Sequence, residues 1–266
     1  MHGTRWEWRK RLGRRRLEEF LAGGARGTAA ALLPPRRLTT IGLLTANVAL
    51  FALILALRGV TEGRSLFGLF APSGEALYVF GAKYTPAILA GEAWRLLTAS
   101  YLHGGAVHLL FNCSALASLG PLIEEGFGSR RLFVIYTVTG IAAFVLSSWW
   151  RPETLSVGSS GSIFGLMGFA WVYGRYRGGA GGRIVADHLG RWLMFGLVML
   201  FLPGIDNAAH LGGALSGGAL GLWLRPGEPV TRASRIGLAL ATGALLLLTA
   251  ASFAAMVAAQ RATAHV

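Results

Sequence analysis

The sequence predicts an all-α polytopic membrane protein, and three observations carry that prediction. Of the 266 residues, 53% are hydrophobic and only 14% charged, a balance rare in a soluble domain of this size. Apolar runs long enough to cross a bilayer recur along the whole chain. Lys and Arg gather in the N-terminal tail and in the connections between those runs.

The first element is a basic tail, residues 1–39, which holds ten Lys or Arg, including Arg14-Arg15-Arg16. The positive-inside rule keeps such a tail in the cytoplasm. An Arg-rich, acid-poor start is also compatible with an organellar transit peptide, but Glu18, Glu19 and the lack of a clear cleavage signal argue against it. Residues 11–23 can form a short amphipathic helix on the cytoplasmic leaflet. Spans are then predicted at 40–57, 104–123, 132–150, 159–176, 191–204, 207–224 and 235–258, the fifth of them short. Alternation makes 124–131, 175–191 and 225–235 cytoplasmic, and these carry pairs or clusters of arginine such as Arg130-Arg131 and Arg175 with Arg177. The outer connections are poorer in positive charge, since 151–158 holds only Arg151 and 203–206 holds none. The long first connection, 58–103, holds four and presents Trp94 as an interfacial anchor. Gly-rich 178–182 reads as a flexible connection. Three regions result: the tail 1–39, a six-span core 40–224, and a linker with one additional C-terminal transmembrane helix, 225–266.

Several classes of function fall away. The net charge of +13 suggests nucleic acid in a soluble protein, but its placement between spans assigns it to topology and lipid headgroups, so no nucleic-acid partner is expected. A single cysteine, Cys113, rules out a disulfide framework and a multi-cysteine zinc site. The chain holds two aspartates, Asp187 and Asp206, predicted on opposite faces of the membrane, so a shared-carboxylate protease is excluded. There is no His-Glu-x-x-His motif, and His103 and His108 lie about 140° apart around a helix, so no metal and no cofactor are expected.

The polar residues of the apolar segments remain. With the N-terminus inside, the second, fourth and sixth spans run from outside to inside. Ser160 opens the fourth and His210 lies within about one turn of the start of the sixth. His108 and Asn112, four residues apart, share one face of the second. Asn112 sits about 12 Å from that helix's outer end, so 151–158 is expected to dip inward for Ser160 to meet it. Taken singly, Ser160 can be a helix cap, His210 a carbonyl-bonded histidine, and Asn112 an interhelical hydrogen-bonding residue. Their convergence on the outer half suggests a nucleophile with its base instead. Gly161 and Gly165, and Gly213 and Gly217, are spaced small-xxx-small on the helices carrying Ser160 and His210, which suits close backbone approach. Asp206, four residues before His210, can reach it along a helix, but capping that helix is the favoured role, leaving a dyad.

These residues resemble the rhomboid family of intramembrane serine proteases over about 92–224. The resemblance rests on Trp94-Arg95, on His103 with His108-xxx-Asn112, and on Glu124 with Gly128-Ser129. It is completed by the Gly-x-Ser-Gly at Gly158 to Gly161 and by Ala209-His210-xx-Gly213-xxx-Gly217. It implies a six-helix catalytic core, a dyad of Ser160 and His210, and an oxyanion hole from His108, Asn112 and the Ser160 backbone N–H. Phe164 stands where many members carry a tyrosine stacked on the histidine, so the stacking face is kept and the hydroxyl lost.

The expected activity is hydrolysis of a peptide bond in or near the transmembrane helix of a membrane protein, with single-span proteins as substrates and the lipid bilayer as partner. The site is expected to open to the non-cytoplasmic side of a cell membrane. A catalytically inactive relative that binds membrane clients is the alternative. A transporter is disfavoured because no acid lies at mid-membrane.

Overall fold

The computed structural model describes residues 37–59, 70–198, 204–224 and 231–263. The predicted tail and its amphipathic helix at 11–23 lie outside the described residues. Helix α1 spans Leu38–Arg58. The connection that follows contains three short helices, α2 (Gly74–Val79), α3 (Thr85–Leu89) and α4 (Arg95–Thr98), the last running into a 3-10 turn. Then come α5 (Ala106–Phe127), α6 (Ser129–Trp150), α7 (Ser160–Tyr176), α8 (Gly179–Val198), α9 (Asn207–Trp223) and α10 (Arg232–Thr263). The protein is an all-α polytopic membrane protein. Four helices, Leu38–Arg58, Ala106–Phe127, Ser129–Trp150 and Arg232–Arg261, are each long and apolar enough to cross a membrane.

Helix α7 lies at the centre. Most of its residues from Gly161 to Ala170 are buried. A side chain on Gly213 would strike the carbonyl oxygen of Gly161, one on Gly217 that of Gly165, and one on Gly221 that of Phe169. The paired numbers rise together in steps of four, so α7 and α9 run parallel in contact along their glycine faces. Against α6 the numbers run oppositely, Gly161 meeting Ala143 and Gly165 meeting Thr139, so α6 and α7 are antiparallel.

Helix α1 is fixed at its start by another helix. The Glu124 carboxylate on α5 accepts from Thr39 N and Thr40 N, both at 2.9 Å, and from the hydroxyls of Thr40 and Ser129, both at 2.6 Å. The first N–H groups of a helix lack partners within it, and an anion there also suits the helix dipole. This is what Glu124 and Ser129 do. In the first connection, Arg95 is buried and donates to the carbonyls of Tyr78 (2.6 Å) and Ala82 (3.0 Å) and to Glu92. Its guanidinium also stacks over the rings of Tyr78 and Trp94. A fork of fixed donors thus holds the α2–α4 loop in shape.

Two predicted boundaries need correction. The fifth span, expected at 191–204, is a helix over Gly179–Val198. Hydropathy marked only its apolar half. Its first half is amphipathic, with Ala186 and Leu189 buried while Arg183, Asp187, His188 and Arg191 are exposed, so Asp187 lies on a helix face. The glycines of 178–182 are likewise contact residues: Gly182 lies against the backbone of Gly174, letting α7 and α8 approach.

Candidate active site

Ser160 is the first residue of α7, and the backbone before it is set by glycine. Gly158 has φ +129°, a region L residues rarely adopt, and a Cβ there would lie 2.8 Å from Cε1 and 2.9 Å from Nε2 of His108. Its N–H donates to Ala99 O at 3.0 Å, tying the segment to the 3-10 turn. The chain then enters α7 through Ser159.

His210 lies in the first turn of α9, and the parallel register of α7 and α9 brings it to the serine. Its Nε2 is 2.9 Å from Ser160 Oγ, within reach for proton transfer. Phe164, one turn after Ser160, stacks on the imidazole with centroids 4.2 Å apart and planes within 8°. Gly196 of α8 leaves room for that phenyl ring. The other nitrogen, Nδ1, is buried and has no hydrogen-bond partner among the described residues.

Asp206 does not supply one. Its Oδ1 accepts from Ala209 N at 3.1 Å, capping α9, and its Oδ2 accepts from the hydroxyls of Ser147 and Ser156.

On α5, His108 Nδ1 accepts from Gly104 N–H at 3.3 Å, which makes Nε2 the protonated nitrogen, and that nitrogen faces Gly158. Asn112 is buried and donates one amide hydrogen to the His108 carbonyl at 3.1 Å, within its own helix, leaving the second for another acceptor. The neighbouring serines point elsewhere. Ser159 Oγ lies 3.4 Å from His103 Nε2, and Ser162 is buried against Gly140 of α6. Gly161, Gly213 and Gly217 are the close-approach positions of α7 and α9 described above.

Sequence reasoning did not find Lys83. It is fully buried, pairs its backbone with Ser156, and donates Nζ to the carbonyls of Arg151 (2.7 Å) and Thr154 (3.1 Å). Burial pushes its pKa down, with the charge of Asp206 acting in the opposite direction. A lone lysine in a long loop carries no signal in sequence that it is internal.

These features define a polytopic helical membrane protein with a serine and a histidine in hydrogen-bond contact at the starts of two parallel, glycine-packed helices. The chain belongs to the rhomboid family: the family model described as the Rhomboid domain matches residues 90–227. Among similar proteins, RHOMBOID-like protein 2 of Arabidopsis thaliana is 36% identical over 168 residues, covering 59% of this chain and 51% of that protein. Rhomboid protease GluP of Bacillus subtilis (strain 168) is 35% identical over 184 residues, covering 67% of this chain and 34% of that protein. Rhomboid protease AarA of Providencia stuartii is 28% identical over 171 residues, covering 55% and 61%. The chain spans about half the length of several of the curated relatives it matches.

Proposed function

We propose that the chain is an intramembrane serine endopeptidase in which Ser160 is the nucleophile and His210 its general base. The observation that carries the reading is the 2.9 Å contact between Ser160 Oγ and His210 Nε2, with the imidazole held flat by Phe164. Two similar proteins bear the name rhomboid protease, which adds to it.

Ser160 Oγ attacks the scissile carbonyl carbon as His210 Nε2 takes its proton. The negative oxygen that forms is stabilised by the Ser160 backbone N–H, by His108 Nε2–H and by the free amide hydrogen of Asn112. His210 then passes its proton to the leaving amine, and the acyl-enzyme remains. Water, activated by the same histidine, hydrolyses it and restores Ser160. The chemistry calls for no metal or cofactor. The substrate is the helix of a membrane protein, single-span proteins being the simplest class. Gly, Pro and small polar residues near its outer end let the helix unwind.

The catalytic unit is assigned to 40–224, with 1–39 a basic tail and 225–266 a linker and added helix. The ten positive charges before α1 put the N-terminus in the cytoplasm and the dyad toward the outer side. A reporter after Val266 is expected to be external and one near Ala180 cytoplasmic. The opposite result at Val266 overturns that topology.

The deciding experiment is cleavage of a model transmembrane substrate in liposomes, with fluorophosphonate labelling of the same preparation. Ser160→Ala is expected to abolish both, and Ser159→Ala and Ser162→Ala to keep substantial activity. His210→Ala is expected to insert normally and be comparably inactive. Full activity in Ser160→Ala sinks the assignment. A wild type that folds yet neither labels nor cleaves favours a client-binding, inactive relative.

A further inference from the structure

We infer that Asp206 is a positioning residue for the Ser160–His210 pair, acting through Ser156 and Ser147 with Lys83 behind them. The inference rests on the serine–histidine reading above. Asp206 lies four residues before His210, and Ser156 lies four residues before Ser160. One carboxylate therefore joins both arms of the pair at equal chain distance. Its Oδ1 caps the helix that carries His210, at 3.1 Å from Ala209 N. Its Oδ2 accepts from Ser156 Oγ at 2.5 Å and from Ser147, the latter on α6, the helix antiparallel to α7.

Capping alone does not require this arrangement. Asparagine or serine caps a helix about as well as aspartate, and a cap uses one side-chain oxygen. Here the second oxygen collects hydroxyls from two other parts of the chain. Ser156 is held from its other side by Lys83, through N–H to carbonyl bonds of 2.9 and 3.0 Å in both directions. The Lys83 ammonium, fully buried, holds the carbonyls of Arg151 and Thr154, so the turn leading to Gly158 is gripped along its length. Burying an ammonium is costly without compensating partners, and Asp206 supplies the nearby opposite charge. Asp206 spends both oxygens here, so it sets where His210 stands relative to Ser160 without touching the imidazole.

The test uses the full chain in liposomes and reads two quantities separately, the rate constant of fluorophosphonate labelling and its final extent. A purely structural role lowers the extent, because fewer molecules fold. A positioning role lowers the rate constant at full extent, because every molecule folds with a misaligned pair. Asp206→Asn keeps the cap and removes the anion. It is expected to label to full extent about 10- to 100-fold more slowly, the scale of a misplacement near 1 Å. With a transmembrane substrate its turnover is expected to fall while the apparent Michaelis constant stays. Ser156→Ala is expected to slow labelling less, and Ser156→Ala combined with Asp206→Asn to be no slower than Asp206→Asn alone, since both remove the same tether.

Asp206→Asn at the wild-type rate constant overturns the inference, whatever its extent. If Asp206→Asn fails to fold, Ser156→Ala and Lys83→Met, which leave the cap in place, decide by the same two readings. Labelling of Ser160→Ala at the wild-type rate instead overturns the serine–histidine reading itself, independently of any Asp206 variant.

Discussion

Helices α9 and α10 are neighbours in sequence and opposites in construction. Helix α9 has 17 residues, its buried positions are alanines and glycines, and it meets α7 backbone to backbone. Helix α10 has 32 residues, and only 6% of its most apolar window is buried. One is shaped by a neighbouring helix and the other by lipid. Low burial therefore marks α10 as a helix at the edge of this bundle, while α9 is short and small-faced because it packs against the backbone of a neighbour.

The strongest way to break that contrast is to make the same substitution on both helices. Gly217→Leu puts a Cβ onto the Gly165 carbonyl oxygen, whereas Gly243→Leu on α10 meets nothing within 4 Å. Overpacking of this kind costs about 1–3 kcal/mol, and here backbone must move to relieve it. Gly217→Leu is expected to lose fluorophosphonate labelling entirely and to melt well below the wild type, while Gly243→Leu keeps both. Equal tolerance at the two positions would show that the α7–α9 contact is loose, and the parallel register argued from it would fail.

Next in size is Asn112→Ala. A single lost oxyanion donor costs about 10²–10³ in rate, and with His108 and the Ser160 N–H remaining the loss is expected at about 10² or less. In the proposed oxyanion role the amide acts on charge that exists only in the transition state, so turnover should fall with the apparent Michaelis constant unchanged. A raised Michaelis constant at constant turnover reassigns Asn112 to substrate binding.

Phe164→Ala removes the ring stacked on His210. Such stacking is worth about 0.5–1.5 kcal/mol, so a loss of about 2- to 10-fold in labelling rate is expected, with Phe164→Tyr near wild type. A larger loss in Phe164→Tyr than in Phe164→Ala would point to crowding against Gly196 as the controlling factor.

The helices were more legible in the sequence than their contacts. Hydropathy located α1, α5, α6, α7, α9 and α10, since each is a continuous apolar run. Ser160, His210, His108 and Asn112 stood out because polar groups in hydrocarbon are costly, and the structure brings Ser160 within 2.9 Å of His210 and sets His108 against Gly158. The spacing of Gly213 and Gly217 announced close packing without naming a partner. The first half of α8 was missed because its outward face carries Arg183, Asp187 and Arg191, which lowers its mean apolarity below that of a span. The grip of Lys83 on 151–156 was missed for a different reason. It consists of backbone carbonyls far away in the chain, and carbonyls leave no mark on residue type.

The smallest effect is expected from removing α10. Its contacts include Phe253, which meets the buried Tyr101 edge-on at 5.7 Å, Met256, which packs in the cluster with Ile54, Leu77 and Phe80, and Gln260, whose Nε2 donates to Val79 O at 3.2 Å. None of these groups touches Ser160, His210 or Asp206, and groups without shared partners couple weakly. A chain ending at residue 230 is therefore expected to label at a rate within about twofold of the full chain. Its melting temperature should be lower, because the α1–α2 cluster loses Met256 and the α2 end loses the Gln260 bond. The measurement is labelling rate and final extent in membranes, beside a thermal inactivation curve. Unchanged rate with faster thermal inactivation makes α10 a brace on a catalytic unit that is complete at 40–224. A lowered rate constant at full extent would make α10 part of that unit, reaching the site through α6, on which it packs and which carries Ala143 and Ser147.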